Sequence, residues 1–333
     1  MIALVHHPAY VAPAPSRSPY QWNKNGLVRD LLLQSGAALD WHEPEACPRD
    51  WLEAVHDPDY VDEVLSANVP RDKERRIGFP VTAQVAHRAA IVPGGTWMAA
   101  KLALVHGYGA NTAGGSHHAL ANTGAGFCIF NDLAIAAHRL IQEGDCQRIL
   151  IVDCDVHQGD GTAALLAGRH DIATYSIHAE KNFPVRKARS TLDVGLPDGV
   201  GDDAYLARLR ETLIPMVDEI APDLILYQAG VDPFEGDRLG RLSLSLDGLM
   251  RRDQWIAQMA AERGIPLASA LGGGYGLDAM EVAARHVSSL LTLGDTYAQH
   301  RERAKLPLQG EKLFHSLARA NTGVEGAPFI SDA

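Results

Sequence analysis

Short apolar runs alternate with longer amphipathic stretches along most of this chain. The runs that are typical of buried strands are Ile2–Val5, Gly109–Thr112, Arg148–Val152, Ile172–Ile177, Leu224–Tyr227 and Pro266–Leu271. The stretches with helical spacing are Asn25–Ser35, Ala83–His106, Asp132–Glu143, Thr162–Ala167, Ala204–Ile220, Leu246–Glu262 and Leu277–Leu293. This alternation predicts an α/β protein in which a central parallel sheet carries helices on both faces.

Glycine and proline positions add detail to this prediction. Pro93, with the two glycines that follow it, predicts a break in the helix over Ala83–His106. Asp132 is a candidate N-cap and Gly144 a candidate terminator for the helix between them. No linker divides the chain, so we expect one domain over 1–333, with a core over 1–293 and a peripheral polar segment over 294–333.

The composition excludes several classes of protein. Apolar residues make up 46% of the 333 residues, which is enough for a sizeable core, and the net charge of -11 counts against nonspecific nucleic-acid binding. No apolar run approaches the ~18 residues of a membrane span. The four cysteines show no CxxC spacing, and the N-terminus has no secretory signal, so we expect a cytoplasmic protein.

Polar and glycine-rich motifs follow four of the predicted strands. AGGSHHA follows Gly109–Thr112, and DCDVHQGDG follows Arg148–Val152. QAGVDPFEGDRLG follows Leu224–Tyr227, and GGGYG follows Pro266–Leu271. Because ligands bind parallel sheets at the carboxyl ends of their strands, these four motifs predict one functional site.

One of these motifs has the residue types of a metal site. Asp153, Asp155 and His157 alternate along the chain, so an extended backbone would put them on one face. Asp232, after another strand, offers a further donor. Carboxylate and imidazole ligands suit zinc, and three ligands with one open position are typical of catalytic zinc. The alternative is that these residues are helix caps and turn residues.

His117, His118 and Tyr275 offer acid–base and hydrogen-bonding groups near this site. A histidine next to a metal-bound water is a natural general base, and an aspartate can fix the tautomer of its ring. Tyr275 lies among four glycines, and such a loop can present a phenol as an oxyanion donor. The alternatives are ordinary surface histidines and an aromatic residue beside a strand turn.

Taken together, five motifs in this order resemble the histone deacetylase family, which is zinc-dependent. They are GGSHHA (114–119), GFCIFND (126–132), DCDVHQGDG (153–161), AGVDPFEGDRLG (229–240) and LGGGYG (271–276). The resemblance implies the single-domain arginase/deacetylase fold, with a central parallel sheet of about eight strands. The run EGDRLGRLSLS (235–245) and the Arg251-Arg252-Asp253 helix start look most like a bacterial member of class IV, the branch typified by histone deacetylase 11.

The resemblance also implies a role for each matching residue. The zinc ligands would be Asp155, His157 and Asp232, and His118 would act as general base and then acid. His117 would be its electrostatic companion, with Asp153 as the partner of His117 and Asp160 as the partner of His118, while Tyr275 would polarise the acyl carbonyl. The substrate tunnel would be lined by Phe127, Cys128, Phe183, Leu239 and Gly274. A structural potassium would be held by Asp153, Asp155, His157, Ser176 and Ile177.

Three positions depart from the family pattern. Ser116 replaces a tryptophan that many members have before the histidine pair, so the pocket floor would be roomier. Gln158 replaces the second histidine of a common pair. The rim between Pro70 and Pro80 offers no assignable aspartate to orient a peptide backbone.

The function that the resemblance implies is the hydrolysis of acylated lysine in proteins or peptides, with one zinc ion per chain and K⁺ as a structural ion. The class IV similarity extends this expectation from acetyl to long fatty-acyl groups. One alternative is an amidohydrolase of small acylated amines such as acetylpolyamines, and another is a reader of acyl-lysine without catalysis. A binuclear arginase-like enzyme is disfavoured, because Gln158 and Gly159 separate His157 from Asp160. The sequence leaves the oligomeric state open.

Overall fold

An eight-stranded parallel sheet runs through the computed structural model, which describes residues 1–12 and 20–304. The strands are β1 Ile2–Val5, β2 Leu39–His42, β3 Tyr108–Asn111, β4 Ile149–Asp153, β5 Ile172–Ala179, β6 Leu192–Leu196, β7 Leu224–Gln228 and β8 Leu267–Ala270. Their order is β2-β1-β3-β8-β7-β4-β5-β6, and every neighbouring pair is parallel.

Ten α-helices accompany the sheet in the described residues. They are α1 Lys24–Gln34, α2 Arg49–Glu53, α3 Pro58–Leu65, α4 Arg71–Ile77, α5 Ala83–His106, α6 Asp132–Gln142, α7 Asp160–Leu165, α8 Asp202–Ile220, α9 Leu246–Glu262 and α10 Ala279–Ala304. A short 3-10 helix covers Pro8–Tyr10. Within the described part of the chain, no helix is both long enough and apolar enough to cross a bilayer.

Side chains of the central strands alternate between two apolar layers. In β4, Leu150 and Val152 pack into a cluster with residues of α1, α8, α9 and α10. Ile149 and Ile151 point to the other side, into a cluster with residues of α5 and α6. Both faces of the sheet are therefore buried under helices, as the continuous apolar runs of parallel strands require. This confirms the predicted single α/β domain with a central parallel sheet.

The elements that the sequence did not predict lie mostly at the edges of the sheet. β2 and β6 are the two edge strands, and all four residues of β2 are only partly buried. An edge strand buries less apolar surface than a central one, so its sequence has a weaker apolar pattern. Helices α2, α3 and α4 are also short, and they form a layer over α5 and the loop after β3.

The predicted break in α5 is wrong, because the helix is continuous from Ala83 to His106 with Pro93 inside it. The glycines after Pro93 have a packing role instead. A side chain at Gly94 would collide with the carbonyl oxygen of Glu45, and a side chain at Gly95 would collide with the Tyr10 hydroxyl. These two positions let neighbouring segments approach the helix closely.

Two further boundaries differ from the sequence prediction. Asn131, and not Asp132, caps α6, because its side chain accepts a hydrogen bond from the Ala134 amide. Helix α10 continues to Ala304, so residues 294–304 are not peripheral. A side chain at Gly294 would collide with Ile2, and Tyr297 is buried and donates a hydrogen bond to the Ile265 carbonyl. Residues 305–333 lie outside the described part.

Candidate active site

Four loops meet at the carboxyl edge of the sheet, at strands that are consecutive neighbours in the order β3-β8-β7-β4. The loop after β3 carries His117 and His118, and the loop after β8 carries Tyr275. The loop after β7 carries Asp232, and the loop after β4 carries Asp155 and His157. The strand order thus brings together four motifs that are far apart in the sequence.

Asp155, His157 and Asp232 form the one group of potential metal ligands found among the described residues. One ligand atom from each lies within 4.8 Å of the others, and all three residues are buried. Nδ1 of His157 lies 3.0 Å from Oδ1 of Asp155 and 3.2 Å from Oδ2 of Asp232. Cys154 and Val156, between them in sequence, point into the apolar core. The group has the donor set that suits a zinc ion.

The local chemistry fits a cation at this position. Oδ2 of Asp232 is buried and has no hydrogen-bond partner, while Oδ1 accepts a hydrogen bond from the Val156 amide. Burial, with the Asp155 carboxylate close by, raises the pKa of Asp232 to about 7. Two buried carboxylates this close favour a bound cation, which would keep both ionised. A side chain at position 273 would collide with the carboxylates of Asp155 and Asp232, so Gly273 keeps this space open.

The two adjacent histidines each face a carboxylate of their own. Nδ1 of His117 lies 2.6 Å from Oδ2 of Asp153, and Nδ1 of His118 lies 2.7 Å from Oδ1 of Asp160. The two imidazole rings are 4.0 Å apart between centroids. Because Nδ1 of each ring donates to a carboxylate, the Nε2 atoms remain available for proton transfer.

The environments of the two rings push their pKa values apart. Burial opposes the charged form of His117, but the carboxylates of Asp153 and Asp155 outweigh it and raise its pKa to about 9. Burial and the adjacent His117 lower the pKa of His118 to about 3. His118 is therefore neutral at neutral pH and can accept a proton, while His117 favours a positive charge.

Tyr275 faces the same space from the loop after β8. Its ring lies 6.4 Å from the ring of His157 and 5.7 Å from that of Phe127. Burial and the nearby Asp155 raise the pKa of the Tyr275 hydroxyl well above its ordinary value, so this group stays a hydrogen-bond donor. Its backbone amide donates to Oδ2 of Asp237 at 2.6 Å, which fixes the glycine-rich loop.

The family of the chain follows from comparison with known proteins. Residues 18–291 match the model of the histone deacetylase domain. The chain belongs to the histone deacetylase family. The match spans every loop described above, so the site lies wholly within the family domain.

Relatives in this family come from bacteria and plants. An uncharacterised protein of Picosynechococcus sp. is 45% identical over 85% of this chain and 95% of its own length. Histone deacetylase 2 of Arabidopsis thaliana is 32% identical over 80% of this chain and 71% of its own. The acetoin utilization protein AcuC of Staphylococcus aureus is 30% identical over 73% of this chain and 68% of its own.

Two solved structures share the fold. The HD domain of HDA15 has a TM-score of 0.72 at 20% identity, covering 97% of this chain and 99% of that one. Acetylpolyamine aminohydrolase from Burkholderia pseudomallei has the same TM-score and identity, covering 90% of this chain and 99% of that one. The arginase/deacetylase architecture expected from the sequence is thus present.

A small cavity adjoins the candidate catalytic groups of this histone deacetylase domain. Its volume is about 40 Å³, and its lining includes Phe127, Cys128, His118 and Tyr275. The rest of its lining is strongly polar, with the following side chains and glycines: Tyr20, Lys24, Asn25, Arg88, Gly114, Gly115, Ser116, His117, Gly126, Asp155, Leu271, Gly272 and Gly273. Burial lowers the pKa of Lys24 to about 8, and its ammonium donates to the Gly272 carbonyl at 3.2 Å.

The other residues predicted to line the tunnel lie outside this cavity. The ring of Phe183 packs edge-on against His118 at 4.7 Å and is 43% exposed, so it stands at the outer opening. The Leu239 side chain is also exposed. Its amide donates a hydrogen bond to Asp237, and its carbonyl accepts one from the Asn182 side chain. Gly274 is not part of the cavity lining, and a side chain at this position would collide with Val231 and His286.

Two of the expected potassium donors, Ser176 and Asp153, lie on neighbouring strands. Ser176 pairs with Asp153 in the register of β5 and β4. Its hydroxyl lies 2.9 Å from Nδ1 of His178, and Oδ1 of Asp153 accepts the Asp155 amide. These side-chain oxygens therefore already have protein partners.

Several residues that support the site were missed by sequence reasoning. Asp132 accepts hydrogen bonds from the amides of Gly115 and Ser116, which fixes the turn before the histidine pair. Arg252 is fully buried, and its guanidinium donates to the carbonyls of Cys154 and Gly230. These two carbonyls belong to the loops that carry the candidate metal ligands. The sequence indicated these residues only by their position inside or near the family motifs. Their contacts could not be predicted, because each contact joins segments that are distant along the chain.

Gln158, noted as a departure from the family pattern, holds part of the rim. Its amide group donates to the Ala188 carbonyl and to Asp193, and its oxygen accepts the Ala188 amide. The glutamine therefore ties the loop between β5 and β6 to the loop that carries Asp155 and His157.

Proposed function

We propose that this protein is a zinc-dependent amidohydrolase that removes a small acyl group, acetyl foremost, from the ε-amine of lysine in peptides or proteins. One observation carries the proposal: Asp155, His118 and Tyr275 line one cavity of about 40 Å³. Asp155 also belongs to the buried Asp155–His157–Asp232 group, so the cavity adjoins the candidate metal site. Membership of a zinc-dependent family supports the choice of metal.

A bound metal would supply the electrophilic part of the reaction. A divalent ion held by Asp155, His157 and Asp232 would polarise the acyl carbonyl and lower the pKa of the attacking water. The class IV branch and a structural potassium remain part of the proposal.

The protein's own groups supply the proton transfers. Neutral His118 accepts the water proton at Nε2 while Asp160 holds its Nδ1 proton, and the same nitrogen then protonates the leaving amine. The Tyr275 hydroxyl donates to the carbonyl oxygen as negative charge develops there. The products are one carboxylic acid and one free amine, which balances the addition of one water molecule.

The size and lining of the cavity support a short acyl group. A volume of about 40 Å³ holds only a few non-hydrogen atoms. Ser116 and Cys128, on which the expectation of extra room was based, both line this cavity together with Lys24, Arg88 and Leu271, and its volume is nevertheless small. A long fatty-acyl chain would need this polar floor to open.

The test combines metal analysis with turnover of an acetyl-lysine peptide. Wild-type protein loaded with zinc is expected to release acetate, and the His118→Ala variant with the same zinc content is expected to lose this activity. An acetylated polyamine assayed in parallel tests the small-amine alternative. Zinc binding without turnover of any acyl substrate would instead support the non-catalytic reader.

A further inference from the structure

Three exposed segments surround the opening beside Phe183 and Tyr275, and we call them the mouth: 71–77, 180–191 and 235–241. The first reaches the opening through its end, where the amides of Gly126 and Phe127 donate to the carbonyls of Arg76 and Ile77. The second carries Phe183, whose ring packs on His118. The third bonds to the Tyr275 carbonyl through the Arg238 amide.

The mouth is basic in an acidic protein. Its three segments contain ten Lys and Arg residues against five Asp and Glu, whereas the whole chain has 30 against 41. The loop of Tyr275 adds Asp278 and Glu281, which leaves the surroundings of the opening net positive. The charge of the mouth is thus opposite to that of the rest of the molecule.

Seven of the ten cations of the mouth also lack partners, unlike most other cations in the described residues. Elsewhere, Lys and Arg side chains form ion pairs, hydrogen bonds or ring contacts, as Arg49, Lys101, Arg139 and Arg263 do. The mouth cations that have no such contact in residues 1–12 and 20–304 are Arg71, Arg75, Arg76, Lys181, Arg186, Arg189 and Arg238. The remaining unpartnered cation in that part is Arg303, at the end of α10.

The segment around Arg186 and Arg189 is held rigidly. The Lys187 ammonium donates to the carbonyls of Asn182 at 2.6 Å and Pro184 at 2.9 Å, and Gln158 bonds to both backbone groups of Ala188. These bonds fix the backbone from which the two guanidinium groups project. A fixed backbone lowers the conformational cost of binding at this segment, and unpaired charges attract a ligand of opposite charge.

Apolar side chains beside the same opening favour an extended chain as the ligand. Val185 is 96% exposed and Leu277 is 89% exposed, and each lies two residues from an aromatic residue of the site. A polypeptide that crosses the opening would cover such side chains, which a compact anion would not. Exposed Glu180 and Glu235 alternate with the cations and would be repelled by a continuous anionic bilayer.

We propose that the mouth selects acylated lysines within acidic segments of polypeptide, with Asp or Glu within a few residues of the modified lysine. The proposal rests on the proposed function, because the acyl-lysine must enter the cavity for its neighbours to meet the mouth. It also opposes a polyamine substrate, whose free amines would carry the same charge as the mouth.

Binding of labelled peptides tests the proposal without relying on turnover. Three fluorescent peptides share a central acetyl-lysine and differ only in flanking Asp, Ser or Lys residues, and anisotropy with the zinc-loaded protein gives each Kd. At about 50 mM salt we expect the Asp peptide to bind about tenfold more tightly than the Lys peptide. The ratio should shrink at about 500 mM salt, because salt screens exposed charges. Equal affinities, or tighter binding of the Lys peptide, would overturn the proposal.

Charge-reversal variants test whether the cations of the mouth cause the preference for acidic peptides. Arg186→Glu and Arg238→Glu should each reduce the Asp-to-Lys affinity ratio, whereas Arg303→Glu, which makes the same charge change at the end of α10, should not. If Arg303→Glu reduces the ratio as strongly, net charge rather than the mouth causes the preference. Turnover of the Ser peptide by the same samples distinguishes failure of the proposed hydrolase activity from failure of the proposed peptide preference. If the Ser peptide is not hydrolysed, the hydrolase is rejected. The order of the three peptide affinities still tests whether the mouth prefers acidic segments.

Binding to lipid vesicles tests the alternative that the mouth binds an anionic membrane surface. Sedimentation with phosphatidylglycerol vesicles and with phosphatidylcholine vesicles measures attraction to an anionic surface. Binding to the anionic vesicles that Arg186→Glu abolishes, combined with equal affinity for all three peptides, would assign the mouth to membranes and overturn the proposal. Absence of vesicle binding, with the expected peptide order, supports it.

Discussion

The Asp160 carboxylate lies 2.7 Å from Nδ1 of His118, and this contact leaves Nε2 as the nitrogen of that ring that can exchange a proton with a substrate. His117, whose ring is 4.0 Å away, makes the same kind of contact with Asp153 but has a raised pKa. Two adjacent residues of one type are thus set up for different tasks, one as proton acceptor and one as fixed charge.

This asymmetry predicts unequal effects of two alanine variants. His118→Ala should lower kcat by about 10² to 10⁴, because it removes proton transfer in the transition state, while the KM for an acetyl-lysine peptide changes little. His117→Ala should lower kcat by a smaller factor than His118→Ala does. Steady-state kinetics at matched zinc content check both variants, and near-normal turnover of His118→Ala would show that another group is the base.

Removing only the Tyr275 hydroxyl should leave the fold and the metal site intact. Tyr275→Phe keeps the ring contact with Phe127, so the melting temperature and zinc content should match the wild type. We expect kcat to fall by about 10² to 10³, as for loss of one oxyanion donor. Tyr297→Phe is a control, because that hydroxyl bonds to the Ile265 carbonyl far from the site. Equal activity of Tyr275→Phe and the wild type would refute the role.

Metal content gives a separate prediction for Asp232. The wild type should bind one zinc ion per chain, and Asp232→Ala should bind almost none, since it removes one of three ligands. Asp160→Asn is the matched control, because Asp160 bonds to His118 and is not among the metal-binding group. Elemental analysis after dialysis measures all three proteins. Two metal ions per chain would contradict the mononuclear site.

Long-range contacts set the limit of what the sequence could predict. The candidate metal-binding group could be located because each of its residues follows an apolar run, and parallel strands end at one edge. The contacts of Arg252 could not be predicted, because its guanidinium joins the loops after β4 and β7, which are far apart along the chain. The edge strands β2 and β6 lack a strong apolar pattern because each pairs on one side only.

The glycines of α5 led to a predicted break that the structure does not have. Their local signal favours a break, and tertiary packing against Glu45 and Tyr10 overrides it. The cavity volume is a further case, because residues from several elements determine it together. No single substitution, such as the serine at 116, reveals how much space its neighbours leave.

Buried His56 predicts a pH dependence of stability. Its Nδ1 lies 2.9 Å from the Leu120 carbonyl and its Nε2 accepts the Asn131 amide, an arrangement that needs the neutral ring. Burial lowers its pKa from 6.5 to about 4. Between these values the unfolded chain binds a proton that the folded chain does not, so stability is lost as the pH falls from 6.5 towards 4.

Urea unfolding of the wild type and His56→Asn isolates this effect, because both proteins share every other titrating group. The stability advantage of the wild type should shrink by about 2 kcal/mol between pH 7 and pH 5. A constant difference across this range would show that His56 does not control the acid sensitivity.

Acyl-chain length is the sharpest test of the cavity. Each methylene that finds an apolar space can contribute about 0.8 kcal/mol, so an open pocket would make catalytic efficiency rise with chain length. The cavity here is about 40 Å³ and is bordered by Lys24 and Arg88, so added methylenes meet polar groups or collide. We therefore expect kcat/KM on one peptide to fall from acetyl to octanoyl to myristoyl lysine.

A cavity variant tests the same limit. Leu271→Ala should enlarge the cavity and raise the ratio of kcat/KM for octanoyl lysine to that for acetyl lysine, whereas Leu33→Ala, at an exposed position, should leave this ratio unchanged. A rise from acetyl to myristoyl in the wild type would mean that the polar floor opens during binding, and the fatty-acyl specificity suggested by the class IV resemblance would then hold.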